Sequence, residues 1–495
     1  MKRKLIITIV TIAALPILYS FCGFYVSKAD GTLKNKTSQV ILVRDGNKSV
    51  ITMYNDFKGD VKDFAMVVPV PVVLKKSDIK VTDNEIFQRL NDYSAPRLVE
   101  YFDANPCEQV LMYDKVSDAV MSAPPAETEM KRKEGSGVTV EASYTVGEYD
   151  ILILSAKESS GLKGWLITNG YKIPAGAEEI LEPYIKSNLK FFVVKVNIKE
   201  KEKAGLENLR PIQIRFDSPK FMLPIRLGMA NADGDQDMII YAFTKEGRIE
   251  TTNYRTVAVP TGKNIPLFVQ KRFADFYTSL FMHQWNLENR RIAFLEYAWD
   301  VSPSNYVKCD PCVSNPPDYN DLKNAGVWWL GNNDDDDNNG RQAGGSAYFT
   351  RLHVRYNRNS YPQDLAFQVT PNTENFQARY IITHPAAGRF KCADGKKYLH
   401  DLKERRKKEL YTLASLTGKD ADDWDITLGD EENRNIPGDV SYSSLSQTYA
   451  DDLTKTGSGA AEKILLASAF IVISIGAVKY TTNKNKTTFY EIPKL

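Results

Sequence analysis

The sequence predicts an α+β fold with β-rich mixed and antiparallel sheets and several helices, placed between an N-terminal signal and a C-terminal transmembrane helix. Runs rich in valine, isoleucine and tyrosine, separated by polar turns, predict the strands. Amphipathic segments with apolar residues at helical spacing predict the helices. One uncharged apolar run near each end of the 495-residue chain predicts the two terminal segments.

The composition is that of an ordinary globular protein with buried cores, because 43% of the residues are hydrophobic and 25% are charged. The formal net charge is only +2, and acidic residues flank the basic run KERRKKE. Binding to nucleic acid relies on an excess of positive charge, so the sequence predicts no nucleic-acid partner.

The first twenty residues have the layout of a secretory signal peptide. Basic residues at positions 2–4 precede an uncharged apolar run from Leu5 to Leu18, and the small residue Ser20 follows. This run is shorter than the roughly 20 apolar residues that span a bilayer. Residues 1–20 are therefore predicted to be a signal peptide that exports the body of the chain, with an uncleaved anchor as the alternative.

The remainder of the chain divides by composition into seven predicted segments. In order they are an N-terminal α+β unit (21–118), a flexible linker (119–137), a β-rich α+β unit (138–300), a cysteine-containing β/α unit that ends in a long basic helix (301–418), a polar tether (419–459), a transmembrane helix (460–480) and a cytoplasmic tail (481–495).

Turn and cap signals place the individual elements. Asp45-Gly46-Asn47 separates two β-rich runs in QVILVRDGNKSVITMYNDF and predicts a hairpin. Helical periodicity predicts helices at NEIFQRLNDYSAPRLVEYFD, interrupted near Pro96, and at GLKGWLITNG, AGAEEILEPYIKSNL and LFVQKRFADFYTSLFMHQW. KFFVVKVNI, RIAFLEYAW, GVWWL and AYFTRLHVRYNR are predicted strands. The basic segment KKYLHDLKERRKKELYTLASLTG has leucines at helical spacing and is predicted to end at Gly418.

The apolar run near the C-terminus predicts a membrane anchor. No charge occurs from Ile464 to Val478, and Lys463 and Lys479 bracket this run. Flanking lysines can extend their ammonium groups to the membrane surface, which lengthens the usable helix to residues 460–480. Further lysines follow the run, so the tail is predicted to lie in the cytoplasm. A buried core helix is the alternative interpretation.

The pair Cys309 and Cys312, in KCDPCVSNPP, has three interpretations. Export favours a structural disulfide, because thiols outside the cytoplasm tend to oxidise. A zinc site would need two further ligands, and His384 and Cys392 are the available candidates. A redox pair would favour a motif that opens a helix, and the surrounding prolines speak against that context.

The chain has five cysteines, so one is left over if the others pair. Cys22 and Cys107 bracket the N-terminal unit, and a disulfide between them is a hypothesis. Connectivity does not follow from sequence alone.

Two acidic turns are candidates for calcium binding. Asp335, Asp337 and Asn339 match the opening of an EF-hand loop, but Ser346 stands where a bidentate glutamate is required. NADGDQD is a second such turn with the same weakness. A solvated hairpin tip is the favoured interpretation, so the sequence predicts no cofactor and keeps calcium and zinc as alternatives.

Motifs for hydrolysis and phosphate binding are absent from the sequence, and four histidines supply few general bases. Carboxylates in a cleft are the remaining route to catalysis. Trp328 and Trp329 are candidates for a surface that stacks on a sugar or a peptide, although neighbouring residues in a strand face opposite sides.

Several segments in the same order give the chain a family resemblance. SQVILVRDGNKSVITMYNDF, FAMVVPVP, YSAPRLVEYFDANPC, ETTNYRTV, CDPC and RLHVRY resemble an exported bacterial family catalogued as domain of unknown function 2330. That family has no assigned activity. The resemblance implies export, a shared fold and a common framework of Cys22, Cys107, Cys309 and Cys312, and it supplies no catalytic residue.

The sequence therefore predicts an exported cell-envelope protein, periplasmic or extracellular, with a single C-terminal membrane anchor. Its predicted role is binding of an envelope ligand or another protein, or a structural interaction, and not catalysis. An envelope enzyme with a carboxylate site is one alternative. A metal or thiol-redox protein centred on Cys309 and Cys312 is the other.

Overall fold

The computed structural model describes most of the central part of the chain. The described residues are 24–27, 34–35, 38–54, 57–58, 64–107, 138–169, 177–206, 209–231, 234–331, 344–388, 390–428 and 440–446. The predicted signal peptide, linker, transmembrane helix and tail lie outside them. No described helix combines the length and the apolar character that a membrane crossing requires.

The chain forms two compact units, each assembled from separate stretches of sequence. The first unit contains residues 1–99, 114–262 and 281–380, and the second contains residues 100–113, 263–280 and 381–495. The consecutive segment boundaries given above stay a prediction.

The described residues contain both strands and helices, which confirms the predicted α+β class. The strands are β1 (Phe24–Ser27), β2 (Lys34–Asn35), β3 (Ser38–Asp45), β4 (Lys48–Tyr54), β5 (Phe57–Lys58), β6 (Phe64–Val70), β7 (Ile79–Val81), β8 (Arg97–Phe102), β9 (Val138–Val146), β10 (Tyr149–Ala156), β11 (Lys190–Val196), β12 (Ile212–Asp217), β13 (Met222–Leu223), β14 (Gln236–Thr244), β15 (Ile249–Thr251), β16 (Arg255–Ala258), β17 (Lys263–Asn264), β18 (Ile292–Asp300), β19 (Tyr348–Tyr356), β20 (Leu365–Val369), β21 (Phe376–Gln377) and β22 (Arg379–His384). The α-helices are α1 (Glu85–Ser94), α2 (Ser159–Thr168), α3 (Ala177–Lys186), α4 (Ile198–Lys203), α5 (Phe273–Leu287), α6 (Tyr319–Ala325) and α7 (Ala393–Thr417).

The largest sheet of the first unit has the strand order β16-β18-β19-β14-β3-β4-β12-β7, and β21 pairs with β18 beside this path. Strand β3 runs parallel to β14, and β16 runs parallel to β18, whereas β3 and β4 are antiparallel. The sheet is therefore mixed, as predicted. The predicted hairpin joins β3 to β4, and Gly46 adopts the positive φ of 56° that this turn requires.

Alternating side chains of this sheet enter two separate cores. On β3, Val40 and Leu42 belong to one core, and Ile41 and Val43 belong to the other. The first core is shared with the five-stranded sheet β1-β6-β11-β10-β9. The second core includes side chains of α1 and α6. This second face of the large sheet carries the candidate site.

The other face of the five-stranded sheet packs under helices α2 and α3. Val67, Phe191 and Val193 contribute from the strands, and Leu162 and Leu181 contribute from the helices. The first unit is therefore layered as helix, sheet, sheet and helix, which is an arrangement that buries both faces of both sheets.

The predicted long basic helix is confirmed as α7, which belongs to the second unit. Gly418 follows it in the left-handed conformation, with φ of 67°, and donates its N–H to the carbonyl of Ala414. Four of the five leucines at helical spacing, Leu402, Leu410, Leu413 and Leu416, are buried. Glycine at this position ends the helix because it adopts positive φ without strain.

Part of the predicted polar tether (419–459) is folded into the second unit, so that prediction is wrong for these residues. The side chains of Trp424, Val440 and Tyr442 are buried. Tyr442 donates its hydroxyl to Glu409 Oε2 at 2.7 Å. The average composition of residues 419–459 is polar, and it predicted a tether for that reason. A few buried aromatic and aliphatic residues are nevertheless enough to pack such a segment against the rest of the unit.

Candidate functional site

Three adjacent strands at one end of the large sheet form the floor of the candidate site. The register aligns Lys80 on β7 with Gln213 on β12, and Gln213 with Thr52 on β4. Arg215, two residues after Gln213, aligns with Val50. Residues two apart in a strand share a face, so these side chains all belong to the second face of the sheet.

The residues between them face the opposite way. Ile79 and Ile214 are buried in the core between the two sheets. Their burial fixes the register, because a slip of one residue would place Lys80 and Arg215 inside that core. The strands therefore hold the charged side chains firmly on one face.

Helix α6 ends at Gly326, and this glycine lets the end of the helix approach the floor closely. Gly326 ends the helix with φ of 102°, and a Cβ at this position would lie 2.8 Å from Val50 Cγ1. Gln213 donates from Nε2 to Thr52 Oγ1 at 2.7 Å and to the carbonyl of Asn324 at 3.1 Å. The end of the helix is thereby fixed close to the sheet.

Between the strands and the end of α6 lies a cavity of about 400 Å³, here named the cationic pocket. Its walls include Lys80, Arg215 and Lys323, together with Asp78, Gln213 and Trp328. The volume falls within the range of roughly 300–1,000 Å³ that is usual for small-molecule sites.

Positive charge exceeds negative charge among these side chains. The ammonium group of Lys80 forms no hydrogen bond or ion pair with any described residue, and the pKa of Lys80 is lowered, first by burial and then by repulsion from Arg215 and Lys323. Arg215 Nη2 lies 3.9 Å from Asp78 Oδ1, at the outer limit of an ion pair. Lys323 Nζ donates to the carbonyl of Leu330 at 3.2 Å. One carboxylate thus faces three cations.

Trp328 supplies an aromatic wall to the cationic pocket. Its indole is half-buried and meets the ring of Trp329 edge to face at 4.9 Å. The ammonium of Lys48 lies 5.4 Å from the centre of the Trp328 ring. Of the two tryptophans predicted as candidates for stacking, Trp328 lines the cationic pocket. The indole N–H of Trp329 donates to the carbonyl of Ser346 at 2.7 Å.

The predicted strand at GVWWL is wrong, because these residues form a loop after α6. Val327 donates its N–H to the carbonyl of Leu322 and completes the end of the helix. A backbone that is used in this way does not enter a sheet ladder.

A buried ionic cluster lies elsewhere on the same face of the sheet. Glu296 is fully buried, and it accepts from Arg351 Nε at 2.6 Å and contacts His353 Nδ1 at 2.9 Å. His353 Nε2 lies 3.4 Å from Asp237 Oδ1, and Arg355 Nη1 donates to Asp237 Oδ2 at 2.6 Å. Every carboxylate here has a cationic partner.

This cluster holds His353 in its charged form. Burial lowers the pKa of His353, but the attraction of Glu296 and the hydrogen bonds to Asp237 and Glu296 outweigh it and raise the pKa to about 9. The ring of Phe281 stacks on the imidazole with 4.2 Å between centres. An imidazolium between two carboxylates has no free lone pair, so the cluster lacks a general base.

The acidic residues of NADGDQD that the structure describes are bound by the protein itself. Arg355 Nε lies 3.7 Å from Asp235 Oδ2, and Asn357 donates to the same carboxylate. With Asp237 bound to Arg355 and His353, these oxygens are not arranged for calcium. Asp335, Asp337 and Asn339 lie outside the described residues.

Of the three interpretations of Cys309 and Cys312, the structure has the disulfide. Tyr93 and Tyr297 donate their hydroxyls to the carbonyl of Lys308, which directly precedes the motif. Gln377 Nε2 donates to the carbonyl of Pro311 at 3.2 Å. Hydrogen bonds therefore hold the loop at Lys308, directly before the disulfide, and at Pro311, between the two cysteines.

The second described disulfide joins Cys107 to Cys392, and the hypothesis of a bond between Cys22 and Cys107 is wrong. Cys22 lies outside the described residues. Cys392 is also the N-cap of α7, since its sulfur accepts from the N–H of Gly395 at 3.1 Å.

The zinc set of Cys309, Cys312, His384 and Cys392 is not assembled. The three sulfurs are consumed in disulfides, and His384 Nε2 lies 2.9 Å from Glu100 Oε2. Among the residues that the structure describes, no group of three or more histidine, cysteine or acidic side chains is placed to hold a metal ion.

The cations of the pocket were missed from sequence because they come from distant elements. Lys80, Arg215 and Lys323 are separated by more than 100 residues each. One signal was available: in the run PIQIRFD, alternation places Gln213 and Arg215 on the face opposite the isoleucines.

Comparison with known proteins gives a family and no function. The searches of curated proteins and of solved structures found no match. The family model for an uncharacterised protein conserved in bacteria, DUF2330, matches residues 16–368. This match covers most of the chain and confirms the resemblance found from its motifs, so the chain belongs to the DUF2330 family of bacterial proteins.

Proposed function

We propose that the protein is an exported binding module of the cell envelope that binds a small anionic ligand in the cationic pocket. Two features support export: the signal-like residues 1–20 and the two described disulfides. The geometry of the pocket supports binding.

The observation that carries the proposal is the convergence of Lys80, Arg215 and Lys323 on one cavity whose lining includes a single carboxylate, that of Asp78. Like charges that share a cavity repel one another, and burial together with the repulsion by Arg215 and Lys323 lowers the pKa of Lys80. An anion in the pocket removes this repulsion and accepts charge-assisted hydrogen bonds, each of which contributes roughly 1.5–3 kcal/mol.

Titration calorimetry of the full chain with inorganic phosphate and with glucuronate tests the proposal. We expect Lys80→Gln to weaken binding about tenfold or more, because one charge-assisted hydrogen bond is lost. Lys199→Gln is the matched control, since it removes one exposed lysine from α4, away from the pocket. The proposal fails if the wild type binds neither probe, or if both variants bind as the wild type does.

Stability separates loss of binding from loss of folding in this test. The ammonium group of Lys80 has no hydrogen bond or ion pair among the described residues, so Lys80→Gln breaks no such interaction there and relieves the repulsion from Arg215 and Lys323. We expect the thermal unfolding midpoint of this variant to equal or exceed that of the wild type without ligand.

The proposal also places the body of the protein at the membrane through residues 460–480. Cell fractionation of the full chain and of a variant truncated after residue 459 tests this part. We expect the full chain to stay with membranes in high salt and the truncated chain to be released. Release of the full chain by salt without detergent would refute the anchor.

A further inference from the structure

The register of the strands separates the cationic end of the pocket from its aromatic end. Lys80 aligns with Gln213, and Arg215 lies one pair of residues further along β12. Lys48, whose ammonium lies over the Trp328 ring, aligns with Asp217, which lies two residues after Arg215 on β12. Each pair of residues advances about 6.6 Å along a strand.

Trp328 therefore lies toward one end of the floor and Lys80 toward the other, with Arg215 between them. The span from the level of Lys80 to the level of Lys48 is four residues of β12, or about 13 Å. A bare inorganic anion contacts only the cationic end of such a cavity. A ligand that uses the whole cavity needs an uncharged body of several ångströms attached to its anionic group.

The chemistry of the pocket walls indicates the nature of the uncharged part of the ligand. The indole of Trp328 offers an apolar surface, and Ser77 and Asn324, which carry hydrogen-bonding side chains, line the same cavity. A ring with apolar C–H groups on its face and hydroxyls at its edge satisfies both kinds of wall. A pyranose has this combination.

We infer that the ligand of the cationic pocket is an anionic sugar of monosaccharide size, with its phosphate or carboxylate at Lys80, Arg215 and Lys323 and its ring against Trp328. This inference rests on the proposed function and adds the class of ligand to it. The cavity of about 400 Å³ accommodates one such sugar.

Calorimetric titration of the full chain with four probes tests the inference. The probes are glucose 1-phosphate, glucuronate, inorganic phosphate and glucose. We expect at least one of the two anionic sugars to bind ten times more tightly than inorganic phosphate. We expect glucose to bind more weakly than either anionic sugar. Equal binding of inorganic phosphate and both anionic sugars would refute the inference and leave the proposed function standing, whereas no binding of any anion would refute both.

Two substitutions locate the ring. Trp328→Leu removes the aromatic wall, and we expect it to weaken the binding of the anionic sugar about tenfold while the affinity for inorganic phosphate stays within a factor of two. Retained phosphate binding also shows that the variant is folded. Trp329→Leu is the control, because the neighbouring indole does not line the pocket. The inference is wrong if Trp328→Leu lowers the affinity for both probes equally, or for neither.

Discussion

Among the described residues, each of the two compact units contains a disulfide and a buried group with a shifted pKa, but the two disulfides close loops of very different length. In the second unit, Cys107 and Cys392 join positions that are 285 residues apart. In the first unit, Cys309 and Cys312 are three residues apart, in a loop that hydrogen bonds already hold. A long crosslink determines which chain segments meet, whereas a short one adds to a local structure that exists without it.

The chain-entropy account gives magnitudes for this difference. Closing a four-residue loop removes roughly 2 kcal/mol of unfolded-state entropy, and closing a loop of nearly 290 residues removes roughly 6 kcal/mol. Native disulfides of small domains contribute about 2–5 kcal/mol when measured, so the second figure is an upper value. The two bonds should therefore differ about threefold.

Removing the long disulfide should have the largest effect on stability. We expect Cys107→Ser combined with Cys392→Ser to lower the free energy of unfolding of the second unit by about 3–5 kcal/mol. Serine keeps the N-cap role of Cys392 toward Gly395, so the crosslink alone is lost. Pulse proteolysis in urea, with fragments of α7 assigned by mass spectrometry, measures the change.

This prediction has a built-in contrast. Fragments from β14 and β19, which belong to the first unit, should appear at the same urea concentration as in the wild type. A shift of both sets of fragments by equal amounts would contradict the assignment of the disulfide to the second unit alone.

The second largest effect concerns the charged histidine of the first unit. The pKa of His353 is about 9 in the folded protein, against an ordinary value of 6.5, so folding binds a proton in this range. Its contribution to stability is complete below pH 6.5 and is lost as the pH rises to 9. We expect a loss of at most about 3 kcal/mol for the first unit across this window.

His353→Gln should remove this pH dependence, and His283→Gln is the matched control on α5. Urea unfolding of the first unit between pH 6 and pH 9.5 provides the comparison. An unchanged slope in His353→Gln would show that other groups titrate in this range.

The buried glutamate of α7 gives the second unit a different pH window. Burial raises the pKa of Glu409 to about 7 from 4.5, although Tyr442, Arg405 and Arg406 oppose the shift. The contribution of protonated Glu409 to the free energy of unfolding is fully present below pH 4.5 and is lost as the pH rises to 7. We expect the second unit to lose up to about 3 kcal/mol across this window, and less where water reaches the carboxylate.

Glu409→Gln should abolish that loss, because glutamine stays neutral and still accepts from the hydroxyl of Tyr442. Glu404→Gln on the exposed side of α7 should retain it. Pulse proteolysis of the second unit at pH 4.5 and pH 7.5 measures the difference, and parallel pH profiles for the two variants would contradict the role of Glu409.

How much of this structure the sequence predicts depends on how local each feature is. The hairpin at Gly46 and the end of α7 at Gly418 each depend on a few adjacent residues, and both predictions are confirmed. The pairing of Cys107 depends on a residue 285 positions away, and no local pattern specifies it.

The candidate site shows the same limit. Trp328 could be singled out from its residue type, but its location in a pocket depends on how α6 ends at Gly326. Lys80, Arg215 and Lys323 are ordinary surface residues in the sequence, and only the pairing of β7 with β12 brings the first two together. Such a constellation follows from topology and not from a motif.

The smallest expected effect belongs to the short disulfide. Cys309→Ser combined with Cys312→Ser should cost the first unit about 1–2 kcal/mol, because Tyr93, Tyr297 and Gln377 still hold the loop. The cost should grow when Gln377→Ala is added, since two constraints on one loop are not additive. Pulse proteolysis of the four variants of this double-mutant cycle measures the coupling, and additive costs would show that the hydrogen bonds and the disulfide act on separate parts of the loop.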